Sequence, residues 1–162
     1  MVSGGQSPRA NADEQLRRLG IELPPPPTPF GTYVEAVQSG RLLFLSGMVP
    51  VVGHEPQFIG RVGGELTVEA GYAAARTACL SGLAAIRSHL GSLNRVSRIL
   101  KLGVFIATQG DFREHPKVAD GASELLLAIF GPERLPTRIV LGMASIPLGM
   151  PIELELLLEI DT

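Results

Sequence analysis

Two charged residues, Arg138 and Glu153, stand near the start of apolar segments close to the C-terminus. Arg138 lies in "RLPTRIVLG" and Glu153 in "IELELLLEI". An arginine is costly to bury because it keeps its charge, and its planar fork matches a carboxylate. The two side chains could pair with each other or point to water at strand ends, which composition alone favours. Alternatively, Arg138 binds the carboxylate of a substrate and Glu153 acts as an acid or base beside it.

Other groups that could do chemistry are few and scattered along the chain. The three histidines, His54, His89 and His115, are not at the spacing of metal ligands, so we expect no metal site. The single cysteine, Cys79, falls in an apolar helical pattern, which favours a buried structural thiol over a nucleophile. The sequence contains neither a phosphate-binding loop nor a nucleophile elbow.

The composition is that of one ordinary globular domain. The chain has 162 residues, of which 45% are hydrophobic and 19% are charged, so it can form a sizeable core. The net charge is -2, which argues against a surface built to bind nucleic acid. No apolar run is long enough for a membrane span, and the N-terminus lacks the apolar centre of a signal peptide. We therefore expect a soluble cytoplasmic protein.

The first 29 residues are interpreted as a lead-in to a domain that spans residues 30–162. Residues 1–12 are small and polar and are predicted to be disordered. "ADEQLRRLGIEL" predicts a short helix that ends near Gly20. The proline-rich "PPPPTP" then favours a stiff extended connection over a ligand for a proline-binding module.

Hydrophobic periodicity predicts the elements of the domain. Residues 32–40 and 41–52 have strand composition, with a turn at Ser39-Gly40. A helix is expected from Thr67 to Gly91, a strand over residues 96–108, and a helix from His115 to Gly131. Two further strands close the chain. In the strand over residues 96–108, one face is predicted to carry Leu100, Leu102, Val104 and Ile106. In the last strand, one face is predicted to carry Ile152, Leu154, Leu156, Leu158 and Ile160.

This order, β-β-α-β-α-β-β, predicts an α+β fold with two helices on one face of a single mixed sheet. If Ile139, Leu141 and Met143 point to the helices, the other face carries Arg138, Val140, Gly142 and Ala144. Such a face is too apolar to be simply wet, so we expect it to contact another subunit.

Three motifs carry a resemblance to a known family. "YVEAVQSGRLLFLSGMVPV", "LPTRIVLG" and "IPLGMPIELELLLEI", in this order and spacing, closely resemble the Rid family of reactive intermediate deaminases (YjgF/YER057c/UK114, formerly endoribonuclease L-PSP). The resemblance covers about residues 30–160. "LGIELPPPP" and "VADGASELL" are similar to a longer, divergent subgroup.

The resemblance implies a chorismate-mutase-like fold, assembled as a homotrimer around a barrel of sheets with clefts between subunits. It implies hydrolysis of enamines and imines such as 2-aminoacrylate to 2-oxo acids and ammonia, without a cofactor. By position, Arg138 would bind the substrate carboxylate and Glu153 would position or activate water. Tyr33 would line the mouth of the cleft, and Ser46 with the Gly47 backbone would contact the substrate.

The sequence departs from the family pattern at several of these positions. Met48 replaces a frequent glutamine, Asp120 a common asparagine, and Ile139 a usual serine, while Val140 stands where some members have cysteine. Met48, Asp120 and Val140 are thus expected to reshape the pocket, and Asp120 would add negative charge.

Two other functions stay open beside the deaminase. One is a non-catalytic trimer that binds a small carboxylate and has a regulatory or chaperone-like role. The other is endoribonuclease activity or translation inhibition, against which the acidic charge balance speaks.

Overall fold

The computed structural model describes residues 11–161. Within this range the helices are α1 (Ala12–Arg18), α2 (Val68–Leu90) and α3 (His115–Phe130). The strands are β1 (Ala36–Ser39), β2 (Leu42–Leu45), β3 (Val51–Val52), β4 (Glu55–Pro56), β5 (Val96–Ala107), β6 (Thr137–Met143) and β7 (Ile152–Ile160). None of these helices of residues 11–161 is long and apolar enough to cross a lipid bilayer.

Five strands form one sheet in the order β1-β2-β7-β5-β6, and β3 pairs with β4 in a separate small hairpin. The pairing of β5 with β6 is parallel, and the other three pairings in the large sheet are antiparallel. The predicted α+β class with a mixed sheet is therefore confirmed. β6 is an edge strand, so a side chain on it can reach beyond the sheet.

The long helix α2 has the boundaries that its sequence predicts. The Thr67 side chain accepts a hydrogen bond from the Ala70 N–H (3.1 Å), and Gly91 ends the helix at φ 83°. Gly91 tolerates this left-handed conformation because it has no Cβ. Cys79 is completely buried in the middle of α2, and burial raises the pKa of its thiol to about 12. The predicted structural role of this cysteine follows from that burial.

The helix α3 packs very closely on α2. A Cβ at Gly121 would lie 2.1 Å from the Tyr72 carbonyl oxygen, so only glycine lets the two backbones approach this far. The Tyr72 hydroxyl also donates a hydrogen bond to Glu124 Oε2 (2.5 Å). These contacts fix the position of α3 and hence of the polar side chains that it presents to β6.

The lead-in packs against the domain. The Asn11 side chain caps α1 by accepting a hydrogen bond from the Glu14 N–H (2.9 Å), and Leu16 is buried in the main core. Ile21 and Leu23 pack on the same core. The disorder predicted for residues 1–12 concerns residues 1–10, which lie outside the described range, whereas Asn11 and Ala12 belong to α1 and its cap.

The strand predicted over residues 41–52 is interrupted after Leu45. The pairing with β7 shifts by one residue between Phe44–Leu157 and the bridge Met48–Leu154. The extra residue is a bulge, and it bends the chain at Ser46-Gly47 before β3 begins. The first hairpin also starts later than predicted, with β1 beginning at Ala36 and the turn at Gly40-Arg41.

Two predictions about strand faces are wrong. In β5, Ile99 instead of Leu100 joins the buried face, because the register with β7 shifts between Ile99 and Lys101. In β6, Arg138 and its same-face neighbours Val140 and Gly142 lie on the helix side, since Arg138 bonds to α3 and Val140 packs on the main core. The edge strand tolerates this arrangement because α3 offers the guanidinium polar partners.

The opposite, open face of the sheet exposes large apolar side chains. Ile139 is 46% exposed, Leu141 44% and Phe44 44%. The face thus mixes apolar and charged groups, as predicted, because the ion pair of Lys101 with Glu155 (3.0 Å) also lies on it, but its β6 residues are the alternate ones. Exposed large apolar side chains on such a face are typical of a surface that contacts another protein.

Candidate functional site

The predicted site residues fall into two groups, and the first surrounds a cleft of about 510 Å³ at one end of the open face. We call it the glutamate cleft. Its lining residues come from the segment that follows the lead-in, from the bulge after β2, from the turn before β7 and from β7 itself. They are Phe30, Gly31, Tyr33, Ser46, Gly47, Val49, Pro147, Leu148, Met150 and Glu153.

Glu153 supplies the carboxyl group of this cleft. It alternates with Ile152 and Leu154, which are fully buried on the helix side, so Glu153 points to the open face. Its carboxyl group is half-buried, and desolvation raises the pKa of Glu153 above its ordinary value. A carboxyl group with a raised pKa can exchange a proton closer to neutral pH.

Gly47 makes room for that carboxyl group. A Cβ at Gly47 would lie 1.9 Å from Glu153 Oε1 and 2.8 Å from its carboxyl carbon. A side chain there would have to displace the glutamate. The position of the Glu153 carboxyl group therefore depends on the glycine at position 47.

Ser46 and Tyr33 add hydroxyl groups to the cleft. Ser46 Oγ donates to the Val34 carbonyl oxygen (2.6 Å), so its lone pairs can still accept a hydrogen bond from a ligand. The Ser46 N–H donates to the Glu35 carbonyl oxygen (2.9 Å), which fixes the bulge. The Tyr33 hydroxyl accepts from the Phe30 N–H (3.0 Å) and keeps its own proton for donation.

Leu148 and Phe30 belong to the cleft although no sequence motif indicates them. Leu148 has φ 61° and ψ 18°, a left-handed conformation that costs a residue other than glycine about 1 kcal/mol. Phe30 stacks on the His54 ring, with centroids 4.1 Å apart. Neither the strained turn nor the stacking has a local sequence signal.

The second group, the arginine site, consists of Arg138 on β6 with Asp120 and Ser123 on α3. Arg138 Nη1 donates to Asp120 Oδ1 (2.7 Å) and to Ser123 Oγ (3.0 Å). Both contacts use the same nitrogen, so Nη2 and Nε still have donors for a ligand. The Arg138 side chain is 28% exposed, so solvent reaches it.

Val140 and Gly142 continue the same face of β6 beyond Arg138. A Cβ at Gly142 would lie 2.5 Å from His115 Nε2, so the imidazole at the start of α3 packs against this glycine. Val140 lies between the two and is partly buried on the core. Arg138 thus contacts Asp120, and Val140 follows it on the same face of β6.

The single chain does not bring Arg138 and Glu153 together. Arg138 pairs with Leu102 on the helix side, whereas Glu153 pairs with Phe105 on the open face, and β5 separates their strands. Arg138 forms its ion pair with Asp120, so the expected alternative of an Arg138–Glu153 ion pair is wrong within residues 11–161.

Met48 is the predicted substrate contact that lies away from both groups. It is 1% exposed, and its side chain faces the position of Gly82 on α2. The bulge explains this placement, because it returns Met48 to the helix side of the sheet, where it bridges Leu154. The Met48 side chain therefore does not line the glutamate cleft.

The sequence and fold of this chain are similar to those of known proteins of one family. The family described as "YjgF/chorismate mutase-like, putative endoribonuclease" matches residues 13–160. The chain belongs to this family. The resemblance predicted from the three motifs is thereby confirmed.

Individual family relatives cover most of the chain. Protein TCP17 of Trypanosoma cruzi is 40% identical over 147 residues, which are 90% of this chain and 92% of the relative. A 2-iminobutanoate/2-iminopropanoate deaminase of Dermatophagoides farinae is 28% identical over 141 residues, covering 87% and 95%. The crystal structure of a "putative endoribonuclease" from Shewanella oneidensis has a TM-score of 0.88 and 32% identity, covering 93% and 99%.

We searched the described part of the chain for side chains that could bind a metal ion. In residues 11–161 no three His, Cys, Asp or Glu side chains group closely enough to hold a metal ion. The two sites contain the Arg138 guanidinium, the carboxyl groups of Asp120 and Glu153, and the hydroxyl groups of Ser46, Tyr33 and Ser123.

Proposed function

We propose that this family member hydrolyses 2-imino acids and their enamine tautomers to 2-oxo acids and ammonia, without a cofactor. The active site is formed by the glutamate cleft of one subunit and the arginine site of a neighbour in a homotrimer. The observation that carries the proposal is a half-buried carboxyl group with a raised pKa, set in a cleft beside hydroxyl groups. The deaminase of Dermatophagoides farinae, 28% identical, supports the same chemistry.

The assembly follows from the separation of the two groups. Arg138 lies on an edge strand, where its side chain can reach a neighbouring subunit. The open face exposes Phe44, Ile139 and Leu141, whose burial against other subunits would be favourable by about 25 cal/mol per Å² of apolar surface. Packing the open faces together around a threefold axis places β6 of one subunit beside the cleft of the next.

The chemistry needs only positioning, one water and proton transfers. Arg138 holds the substrate carboxylate through Nη2 and Nε, and its charge draws electrons from the imine carbon. The Glu153 carboxylate takes a proton from water as the oxygen adds to the carbon of the protonated imine. The protonated Glu153 then gives this proton to the amino nitrogen. As the C–N bond breaks, the hydroxyl proton returns to the Glu153 carboxylate, and ammonia leaves with the 2-oxo acid.

A coupled assay tests the activity. A pyridoxal-phosphate dehydratase acting on serine or threonine releases the reactive enamine, and 2-oxo acid formation is followed with and without the protein. We expect faster release with the wild type and a loss of this acceleration with Arg138→Ala. If the protein does not accelerate release and Arg138→Ala changes nothing, the proposed activity is wrong for these substrates.

The same variants distinguish the other functions. A trimer that only binds small carboxylates would show heat of binding for a 2-oxo acid, abolished by Arg138→Ala, without any turnover. The family description names an endoribonuclease, but the net charge of -2 gives little attraction for phosphates. Tight RNA binding in a low-salt gel-shift assay would favour that function instead.

A cytoplasmic location is part of this proposal. The chain has a single cysteine, Cys79, which is buried and forms no disulfide. A protein of this kind needs no oxidising compartment to fold. Fractionation of cells that express the tagged protein would test the location.

A further inference from the structure

We propose that the glutamate cleft selects 2-imino acids with a large apolar side chain, aromatic or branched, over the three-carbon imino acid. This inference rests on the proposed function and names its substrate class. The structural basis is the composition of the cleft wall. Six lining residues are apolar or aromatic: Phe30, Tyr33, Val49, Pro147, Leu148 and Met150.

The carboxyl group and the Ser46 hydroxyl of the cleft lie together at the bulge, whereas the Tyr33 hydroxyl belongs to the wall and bonds to the Phe30 N–H. Ser46, Gly47 and Glu153 adjoin one another at the bulge. The reacting carbon and nitrogen of a substrate must lie there, near Glu153. Everything beyond C2 of the substrate therefore extends along the apolar wall.

Three large side chains of the wall are exposed, and an apolar part of a ligand could cover them. Leu148 is 58% exposed, Tyr33 45% and Phe30 37%. Exposed large hydrophobic side chains around a concave site are typical of a ligand-binding surface. A methyl group, the side chain of the three-carbon imino acid, would cover little of it.

The size of the cleft agrees with this preference. The cavity measures about 510 Å³. This volume of the single chain falls within the range of about 300–1,000 Å³ that pockets for drug-sized ligands span, which is larger than a three-carbon imino acid requires.

The wall is also held in place before a ligand binds. Phe30 is stacked on His54, whose Nδ1 is hydrogen-bonded to Thr28 Oγ1 (2.9 Å). The turn that carries Leu148 is tied down by the Gly60 N–H, which donates to the Gly149 carbonyl oxygen (2.9 Å). A preformed apolar wall adds to affinity because little ordering is needed on binding.

The test compares imines of different size under one condition. An amino-acid oxidase supplies the 2-imino acids of alanine, leucine and phenylalanine, and hydrolysis is measured as protection from trapping by semicarbazide. We expect kcat/KM for the leucine and phenylalanine imines to exceed that for the alanine imine by at least about 10-fold, as for other hydrophobic pockets. Equal or faster hydrolysis of the alanine imine would overturn the inference while leaving the proposed function intact. Failure to hydrolyse any of the three imines would overturn both.

A matched pair of variants assigns the preference to the wall. Leu148→Asn keeps the left-handed turn, which asparagine tolerates, but removes an apolar side chain from the cleft. It should lower the phenylalanine-to-alanine ratio of kcat/KM several-fold. Leu19→Asn removes an equally apolar side chain, 47% exposed at the end of α1, and should leave the ratio unchanged. An unchanged ratio in Leu148→Asn, or the same change in both variants, would contradict the role of the wall.

Binding of the products gives a second measurement that does not depend on turnover. By calorimetry with the wild-type protein, phenylpyruvate should bind at least about 10-fold more tightly than pyruvate. Equal affinity for the two 2-oxo acids would refute the preference even if Leu148→Asn failed to fold.

Discussion

Two inactive variants should restore activity to each other if the active site is shared between subunits. Glu153→Gln removes the proposed general base, which should lower the rate about 10²- to 10⁴-fold. Arg138→Ala removes a charge-assisted bond to the substrate carboxylate, which should lower kcat/KM about 10- to 10²-fold. Each variant keeps the group that the other lacks.

The size of the recovery follows from the geometry. Arg138 and Glu153 of one chain lie on opposite faces of the sheet, and in the proposed trimer each cleft takes its arginine from a neighbour. In a cyclic trimer that contains both variants, one of the three clefts contains both intact groups. The isolated mixed trimers should therefore reach about a third of wild-type activity per cleft, well above either parent.

The assay co-expresses the two variants with different tags, isolates the mixed trimers on both tags and measures imine hydrolysis. Native mass spectrometry verifies the mixture. The control is each variant co-expressed with itself, under the same tags, which should stay at the level of the parent. Mixed trimers as inactive as their parents would refute the shared site, because a site within one chain cannot be repaired by mixing.

Four further predictions concern single groups. Asp120→Asn should lower KM for 2-imino acids roughly 2- to 5-fold, because a partly exposed carboxylate that competes for Arg138 contributes about 0.5–1 kcal/mol; a higher KM would contradict this. Gly47→Ala should abolish most activity while circular dichroism shows an intact fold, because its Cβ would lie 1.9 Å from Glu153 Oε1. The acidic limb of the kcat/KM profile should lie above pH 4.5, since burial raises the Glu153 pKa and the base works only when deprotonated; Glu153→Gln should lack this limb. Leu141→Glu should give monomers by light scattering together with loss of activity, and trimers that remain intact would disprove the role of the open face.

Much of the fold could be predicted from hydrophobic periodicity and from the residues that begin and end helices. The cap at Thr67, the end at Gly91 and the start of α3 at His115 follow from local chemistry that needs no tertiary contact. The face of β6 could not be assigned in this way. "TRIVLGM" is apolar at alternate positions on both sides, so periodicity fixes the alternation but not which side meets the helices.

The sequence indicates the candidate site where residues belong to motifs, and less so where loops form it. Ser46, Gly47, Tyr33 and Glu153 belong to the motifs and line one cleft in the structure. The bulge directs the Met48 side chain into the core. No local sequence pattern distinguishes this bulge from a continuous strand. Contributions from Phe30 and Leu148 depend on stacking and on a left-handed turn, which only the folded structure reveals.

The lead-in connects distant parts of the molecule. Its helix α1 buries Leu16 in the core and packs beside α3, the helix that carries the partners of Arg138. Its other end leads directly into Phe30 and Tyr33, which line the cleft. A proteolytic cut in the exposed stretch from Gly31 to Val34 would therefore separate the aromatic wall from the sheet while α1 stays anchored. Limited digestion followed by mass determination would show whether a ligand in the cleft shields this stretch.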